Sequence, residues 1–398
     1  MILSSILGAL AGLSFLLMLW QWLAARRFPL HQRLADSLFT PAVTLLKPIK
    51  GCDAHTESCL RSWFTQDYAG EIQILFAVAA ANDPACAVVE KLIREFPQRD
   101  AHLLICPERL GTNAKVSKLA QIESQVKHEI IVISDADVKV PADLLAHAVA
   151  PLRDEKVGLV NCFYRLANPT TLAMRWEAVA INADFWSQVL QSQSLKPLDF
   201  ALGAVMATRR KQLAEIGGFR ALADCLADDY QLGHRIAKRG HRIELCPVVV
   251  ECWDSPMNWG AVWRHQLRWA RTIRVCQPLP YFFSILANAT LWPTLWLLFT
   301  GPWLTIVWSR TSSGIKVSLA DYSLSAAAGA VFILARVLCA FDFQHKMTQS
   351  WRHLDSLWLV PLKDLLQALT WLAAFGGNRI EWRGEHYRLR PDGTLQKF

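Results

Sequence analysis

Three short groups of residues have the types and spacing to do chemistry. The first, Ile131-Val-Ile-Ser-Asp135-Ala-Asp137, puts two carboxylates at the end of an apolar run. Where a strand ends and the chain turns, both can converge on one ligand. Hard divalent cations take oxygen ligands and bridge phosphate oxygens, so the pair suits a Mg²⁺ or Mn²⁺ diphosphate site. Alone, the pattern equally fits a receiver-type phosphoacceptor aspartate or a plain loop. The second group, Ala227-Asp228-Asp229-Tyr230, opens a predicted helix over 230–238. Paired carboxylates there either stabilise the helix N-terminus or supply Asp229 as a general base toward an acceptor hydroxyl. The third is His265-Gln-Leu-Arg268-Trp269, in a stretch where Arg264, Arg268, Arg271 and Arg274 recur every three or four residues. It reads as a helix facing anionic headgroups, or as Arg268 and Trp269 holding a leaving diphosphate, for which a planar guanidinium is suited. Gly111-Thr-Asn113-Ala-Lys115 lies between a strand and a helix. It can offer backbone amides and Lys115 to a phosphate, although it lacks a Walker pattern.

The elements that must position these groups alternate. Strand runs are expected at 42–46, 72–79, 103–106 and 130–133, and helices at 57–63, 87–96 and 113–126. Such alternation implies an α/β fold of parallel βαβ units. In these sheets ligands bind beyond the carboxyl ends of the strands.

Composition places that domain at a bilayer. The 398 residues are 53% hydrophobic with 17 Trp, yet 19% charged. Net charge is +8, but no basic run is interleaved with aromatics, which argues against nucleic acid. The 10 Cys form no C-x-x-C pair and fit reduced thiols rather than a zinc site. Residues 1–25 are uncharged and precede Arg26 and Arg27, as expected of a retained signal-anchor with the arginines inside. A cytosolic domain over 40–274 is expected to follow. The membrane region 275–377 begins with an uncharged stretch broken by Pro278, Pro280, Pro293 and Pro302. Here a short interfacial piece should precede a span from about Thr290, with another span at 322–341. Lys363 and Asp364 sit inside the apolar stretch 357–377. Charge at the bilayer centre costs at least ~2.5 kcal/mol per residue, so a re-entrant or interfacial segment is expected there. A basic tail, 378–398, closes the chain.

Strand-end D-x-D, then D-D-Y, then x-x-R-W, then apolar spans is an order that chance rarely supplies. In it the chain resembles the ceramide glucosyltransferase family of inverting GT-A glycosyltransferases, which also includes bacterial hopanoid-associated glycosyltransferases. Leu46-Lys-Pro-Ile-Lys-Gly51, Gly111 to Lys115, Asp135-Ala-Asp137, Lys156-Val-Gly-Leu-Val160, Asp228-Asp-Tyr230, His265 to Trp269 and Tyr387-Arg-Leu-Arg390 carry the resemblance. It implies a GT-A (Rossmann-like) nucleotide-sugar-binding domain, a UDP-sugar donor, a divalent metal (Mg²⁺ or Mn²⁺) and a lipid acceptor. It also implies a multi-pass protein of the bacterial inner membrane, or an equivalent membrane, with its site facing the cytosol. By motif match, the turn from Pro48 to Gly51, which includes Lys50, lies at the uracil, and Asp135 and Asp137 at the ribose and metal. Asn113, Lys115 and His265 fall on the donor side. Asp229 is the base with Asp228 beside it, and Arg268 and Trp269 meet the diphosphate.

Two departures from the family pattern stand out. Ala80 occupies the place of an Asp usual after the second strand, leaving Asn82 or Asp83 to substitute, or weaker donor binding. His265 stands where Gln or Arg is common, which leaves ceramide-like and hopanoid acceptors open. The implied reaction is hexose transfer from a UDP-sugar to a lipid hydroxyl, as from UDP-glucose to ceramide. The alternatives are a hopanoid-associated (N-acetyl)glucosaminyltransferase and, given Ala80, a catalytically inactive sugar-nucleotide-binding membrane scaffold. Three or four spans are too few for a processive polysaccharide synthase.

Overall fold

The computed structural model describes residues 2–33, 38–300, 319–352, 354–382 and 384–398. The chain divides into two compact units. One comprises Phe28–Met174, Ser192–Ala261 and Asn378–Phe398. The other comprises Met1–Arg27, Arg175–Gln191 and Val262–Gly377.

The first unit is built on an eight-stranded sheet. Its strands are β1 (Val43–Pro48), β2 (Ile72–Val78), β3 (Asp100–Ile105), β4 (Ile130–Ser134), β5 (Val138–Lys139), β6 (Val157–Leu166), β7 (Val205–Arg209) and β8 (Arg242–Cys252). They are ordered β3-β2-β1-β4-β7-β6-β8-β5. The half from β3 to β4 is parallel, as the alternation predicts. β1, β2 and β4 are buried along their whole length, which explains their near-continuous apolar runs. Helices Thr56–Phe64, Ala85–Glu95 and Ala114–Ile122 connect them. The third ends four residues short of the expected 126, giving way to a 3-10 turn at Glu123–Gln125. Beyond β4 the sheet is mixed, because β7 inserts antiparallel to both β4 and β6. Strand order reverses direction at β1, between β2 and β4, which makes a switch-point crevice beyond the carboxyl ends of β1 and β4.

The tail 378–398 is more than a basic extension. It forms an antiparallel meander, β9 (Arg379–Trp382), β10 (Glu385–Leu389) and β11 (Leu395–Lys397).

The second unit is helical. Among the described residues two helices, Ile2–Arg27 and Ser325–Thr348, are long and apolar enough to cross a membrane. The pair Pro278–Ala287 and Leu291–Phe299 passes the same test only if taken together, and bends by 50°. The bend falls in the proline-broken stretch; 301–309 of the span expected from Thr290 lie outside the described residues, as does Arg383 of the tail. Helix Leu359–Ala374 has 16 residues, roughly 24 Å, against a hydrocarbon core of about 30 Å. Its Lys363 and Asp364 are buried within the unit. Lys346 donates to the Ala25 (3.0 Å) and Arg26 (2.7 Å) carbonyls, satisfying the end of the first helix.

Candidate active site

β1 and β4 deliver their ends to one place. Lys47 of β1 is fully buried and donates to Ser134 Oγ (3.1 Å) and to the Asp135 carbonyl. Burial lowers its pKa to about 8, against the pull of Asp135 and Asp137. The following turn is also anchored. Lys118 Nζ donates to the Ile49 carbonyl (2.6 Å), and the Gly51 amide donates to both Asp83 carboxylate oxygens (3.1 Å each). Asp83 also accepts from the Ala85 amide (3.0 Å). It therefore braces the turn that carries Pro48 and Lys50. Pro48 is buried, while Lys50 and Asn82 are exposed.

Lys115 joins the two acidic motifs. Its Nζ lies 2.9 Å from Asp135 Oδ1 and 3.0 Å from Asp228 Oδ2. Burial opposes this ammonium charge, but Asp135, Asp228 and Asp229 outweigh it and raise its pKa. Asn113 is the N-cap of helix Ala114–Ile122, its Oδ1 accepting from the Lys115 and Val116 amides. Its Nδ2 donates to the Cys225 carbonyl (2.8 Å) and Asp228 Oδ1 (3.3 Å). Asn113 thus positions Lys115 and Asp228, and its side chain is occupied by the protein itself.

Asp229 sits in the first turn of helix Asp228–Lys238. Its Oδ2 accepts from the Gly203 amide (2.7 Å) and its Oδ1 from the Tyr230 amide (2.8 Å). Solvent reaches the carboxylate, yet protein surrounds it, as on the floor of a cleft. Burial and then Asp228 raise its pKa above the ordinary 3.8, with the two amides and Lys115 pulling the other way. Gly233 lets this helix approach closely, since a Cβ there would lie 2.2 Å from the Ala201 amide nitrogen. The approach sets the 201–203 backbone beside the carboxylates. A Cβ at Gly203 would lie 3.3 Å from Asp229 Oδ2 and 3.8 Å from Asp135 Oδ2. Gly203→Ala is therefore expected to displace Asp229 and lower turnover about tenfold, with an unchanged melting temperature. Wild-type turnover in the variant would contradict this placement.

Asp137 is likewise open to solvent but ringed by protein. Burial, then Asp135 and Asp254, raise its pKa to about 7. A dication would relieve that crowding of negative charge, so the donor set fits Mg²⁺ or Mn²⁺ held by Asp137 and Asp135, with phosphate oxygens completing the shell. Among the described residues no group of three or more His, Cys, Asp or Glu is placed to hold a metal. The described residues alone build no closed cage.

Sequence reasoning missed several contributors. Asp254 follows the end of β8, as Asp135 follows β4; that strand-end position was the available signal. The loop before Asp228 is laced to the C-terminal meander. Asp224 accepts from Thr112 N (2.9 Å), the Leu395 amide donates to the Asp224 carbonyl (2.7 Å), and Arg109 reaches Tyr387 Oη (2.7 Å). No local pattern announces these partners.

His265, Arg268 and Trp269 belong to the second unit, on helix Trp259–Cys276. His265 packs edge-on against Trp269 (centroids 4.6 Å), and Trp269 lies 6.2 Å from Phe185. Glu177 Oε1 accepts from Gln266 Nε2 (2.8 Å), and His265 Nδ1 lies 2.8 Å from the same oxygen without a hydrogen bond between them. Buried Glu177 thus fixes the start of the motif.

A switch-point crevice edged by strand-end carboxylates and a helix-borne acidic pair defines the GT-A glycosyltransferase fold. A mannosyltransferase from Pyrobaculum calidifontis, solved with GDP-Man and Mn²⁺, shares this fold at TM-score 0.53 and 22% identity, covering 91% of this chain and 99% of that one. The family model for glycosyl transferase family 21 matches residues 5–395, and the chain belongs to that family. Ceramide glucosyltransferase 3 of Caenorhabditis elegans is 26% identical over 223 residues, 55% of this chain and 48% of the relative. An N-acetylglucosaminyltransferase of Rhizobium meliloti is 27% identical over 248 residues, 58% and 55% respectively. The chain spans about half the length of these curated relatives.

Proposed function

We propose that this protein is an inverting glycosyltransferase that moves a hexose from a UDP-sugar to the hydroxyl of a membrane lipid, with a ceramide-type lipid as acceptor. The observation that carries the reading is the convergence of Asp135, Asp228 and Asp229 around Lys115 and Gly203. A donor-side carboxylate and a candidate base then share one cleft. The lipid oxygen attacks the anomeric carbon, the bond from that carbon to the UDP oxygen breaks, and the proton passes to Asp229. Two backbone amides hold Asp229 in a single orientation. Lys115 keeps Asp228 and Asp135 paired, so that Asp229 is the carboxylate left to accept the proton. Asp137 and Asp135 would hold a divalent ion, which would supply positive charge toward the leaving diphosphate. By motif position, Arg268 and Trp269 serve the diphosphate, and the turn from Pro48 to Gly51 serves the uracil. The site faces the cytosol, where Arg26 and Arg27 also lie, and the protein is multi-pass in a bacterial inner membrane or its equivalent.

A second reading is transfer of N-acetylglucosamine to a hopanoid-type lipid; the likeness to the N-acetylglucosaminyltransferase of Rhizobium meliloti supports its sugar, not its acceptor. The test is incubation of detergent-purified protein with a panel of UDP-sugars and membrane lipid extract, read by mass spectrometry. A hexosylated ceramide-type product is expected. Excess chelator should abolish it, and Mg²⁺ or Mn²⁺ restore it. Full activity in chelator would remove the metal from the scheme, and absence of any transfer or UDP-sugar hydrolysis would favour the inactive scaffold.

A further inference from the structure

The C-terminal meander takes no part in the chemistry above, yet it touches both loops that carry the acidic pair and Lys115. Ile380, Tyr387, Leu389 and Leu395 are each at most 4% exposed. A segment of about 20 residues buries too little surface to fold alone, so its order depends on what it docks against. The turn between β10 and β11 is preformed. Gly393 takes φ +83°, which favours glycine. The Arg390 amide donates to the Thr394 carbonyl (2.8 Å), and Asp392 Oδ1 accepts from the Thr394 amide (3.0 Å) and hydroxyl (2.7 Å). Arg379, Arg388 and Arg390 are exposed, so the positive charge of the tail and its docking face lie on different residues.

The tip of that turn pairs with the loop before the acidic helix. Cys225 and Thr394 form an antiparallel bridge. The Leu226 amide donates to the Gly393 carbonyl (3.3 Å), and the Leu395 amide to the Asp224 carbonyl (2.7 Å). Asp228 and Asp229 follow at once, in the first turn of helix Asp228–Lys238. The tip also abuts that helix, since a Cβ at Gly393 would lie 3.0 Å from Gln231 Nε2. β10 takes the other loop. Arg109 Nη2 donates to Tyr387 Oη (2.7 Å), Glu385 Oε2 (3.0 Å) and the Thr112 carbonyl (2.9 Å). The Arg109–Glu385 pair is half exposed and holds little by itself; buried Tyr387 and the Thr112 carbonyl tie β10 to the loop. The two loops are joined in turn. Asp224 Oδ1 accepts from the Thr112 amide (2.9 Å) and hydroxyl (3.0 Å), and the Asn113 amide donates to the Ala223 carbonyl (2.8 Å). The meander, 109–113 and 223–226 therefore close a ring of contacts, from which Lys115, Asp228 and Asp229 follow within a few residues.

Lys115 reaches Asp135 and Asp228 together, at 2.9 and 3.0 Å, only while these loops keep one separation. We propose that the meander is a strap that sets this separation: seated on both loops, it holds Asp228 against Lys115 and Asp229 against the Gly203 amide. Arg109 and Tyr387 act through the loops, as positioning residues. The Pro48–Gly51 turn is fixed without the meander, by Lys118 and Asp83. Unseating the strap should therefore change turnover more than donor binding. The inference rests on the reading of Asp229 as the base, whose charged and hydrogen-bonding neighbours are Asp228, Lys115 and the Gly203 and Tyr230 amides.

The test uses the full chain in detergent. Arg109→Gln should lower kcat about fivefold, with KM for the UDP-sugar and the melting temperature little changed. The acid limb of kcat/KM should move to lower pH, because Asp228 is the neighbouring charge that raises the pKa of Asp229. Arg388→Gln is the control on the exposed face; an equal loss there would assign the effect to the charge of the tail and overturn the strap. Rescue uses the bridge. Cys225 and Thr394 oppose each other at a non-hydrogen-bonded position, where Cα atoms lie about 4.5 Å apart, within disulfide reach. Adding Thr394→Cys and oxidising with diamide should link the tip to native Cys225 and return the kcat of Arg109→Gln to near the wild-type value. Dithiothreitol should reverse the gain, and Arg109→Gln oxidised alone is the reference. A wild-type kcat in Arg109→Gln, failure of the disulfide to form, or a disulfide that restores no turnover would overturn the inference. If Arg109→Gln does not fold, Tyr387→Phe carries the same comparison. A kcat lost and rescued with an unmoved acid limb would keep the strap and point to a base other than Asp229. An acid limb lost in Asp229→Asn, with turnover indifferent to Arg109→Gln, would do the reverse.

Discussion

Asp229→Asn is expected to lower turnover by about 10²–10⁴-fold, the usual share of general-base catalysis, with donor affinity little changed. The amide keeps the size of the carboxylate, and its single oxygen can still accept from one of the Gly203 and Tyr230 amides, but it cannot take a proton from the acceptor. The pH profile gives an independent check. A base must be ionised, and burial with Asp228 raises the pKa of Asp229 above 3.8. Activity is therefore lost as pH falls through that raised value, so the acid limb of kcat/KM should lie above the ordinary aspartate range. The limb assigned to Asp229 should be absent in the residual activity of Asp229→Asn. Near-full turnover in the variant, or a defect confined to donor affinity, would move Asp229 out of the base role.

Asp364→Ala is expected to destabilise the helical unit by about 3–5 kcal/mol, the cost of breaking a buried ion pair by removing one partner. Asp364 accepts from Arg336, Lys363 and Thr290. Without it two buried cations share Asp184 alone. The measurement is the unfolding midpoint in detergent, or the yield of folded protein. Adding Arg336→Met restores charge balance and should recover much of the loss. If single and double variants are equally unstable, the charges are not energetically coupled.

These two outcomes depend on different kinds of information. β1, β2 and β4 and the helices between were legible from the sequence because each buried parallel strand is a local apolar run bounded by turn residues, and β3, at the sheet edge, was legible in its apolar end, Leu103–Ile105. Asp135 and Asp137 were legible as candidates because strand ends are where such sheets bind ligands. The mixed half was not legible. The antiparallel pairing of β7 with β4 joins Ile130 to Arg209, and no local pattern records a partner so distant. Asp83 illustrates the same limit. The family resemblance offered it, with Asn82, as a substitute near the uracil, and only the structure shows it accepting from the Gly51 and Ala85 amides.

The sequence by itself determined the chemical inventory. It supplied two acidic motifs, a basic aromatic helix, and apolar stretches long enough for a bilayer, because residue type and spacing are local properties. Tertiary structure alone decided what each group faces. It joined Asp135 to Asp228 through Lys115, set Gly203 against Asp229, and folded the basic tail into a meander beside the Asp224 loop. It also changed the meaning of Lys363 and Asp364. As sequence they are charges interrupting an apolar stretch; in the structure they are paired with Asp184 and Arg336. The physical reason is that electrostatic energy depends on distance in space. Asp184 is 179 residues from Lys363 along the chain and 2.5 Å from it in the fold.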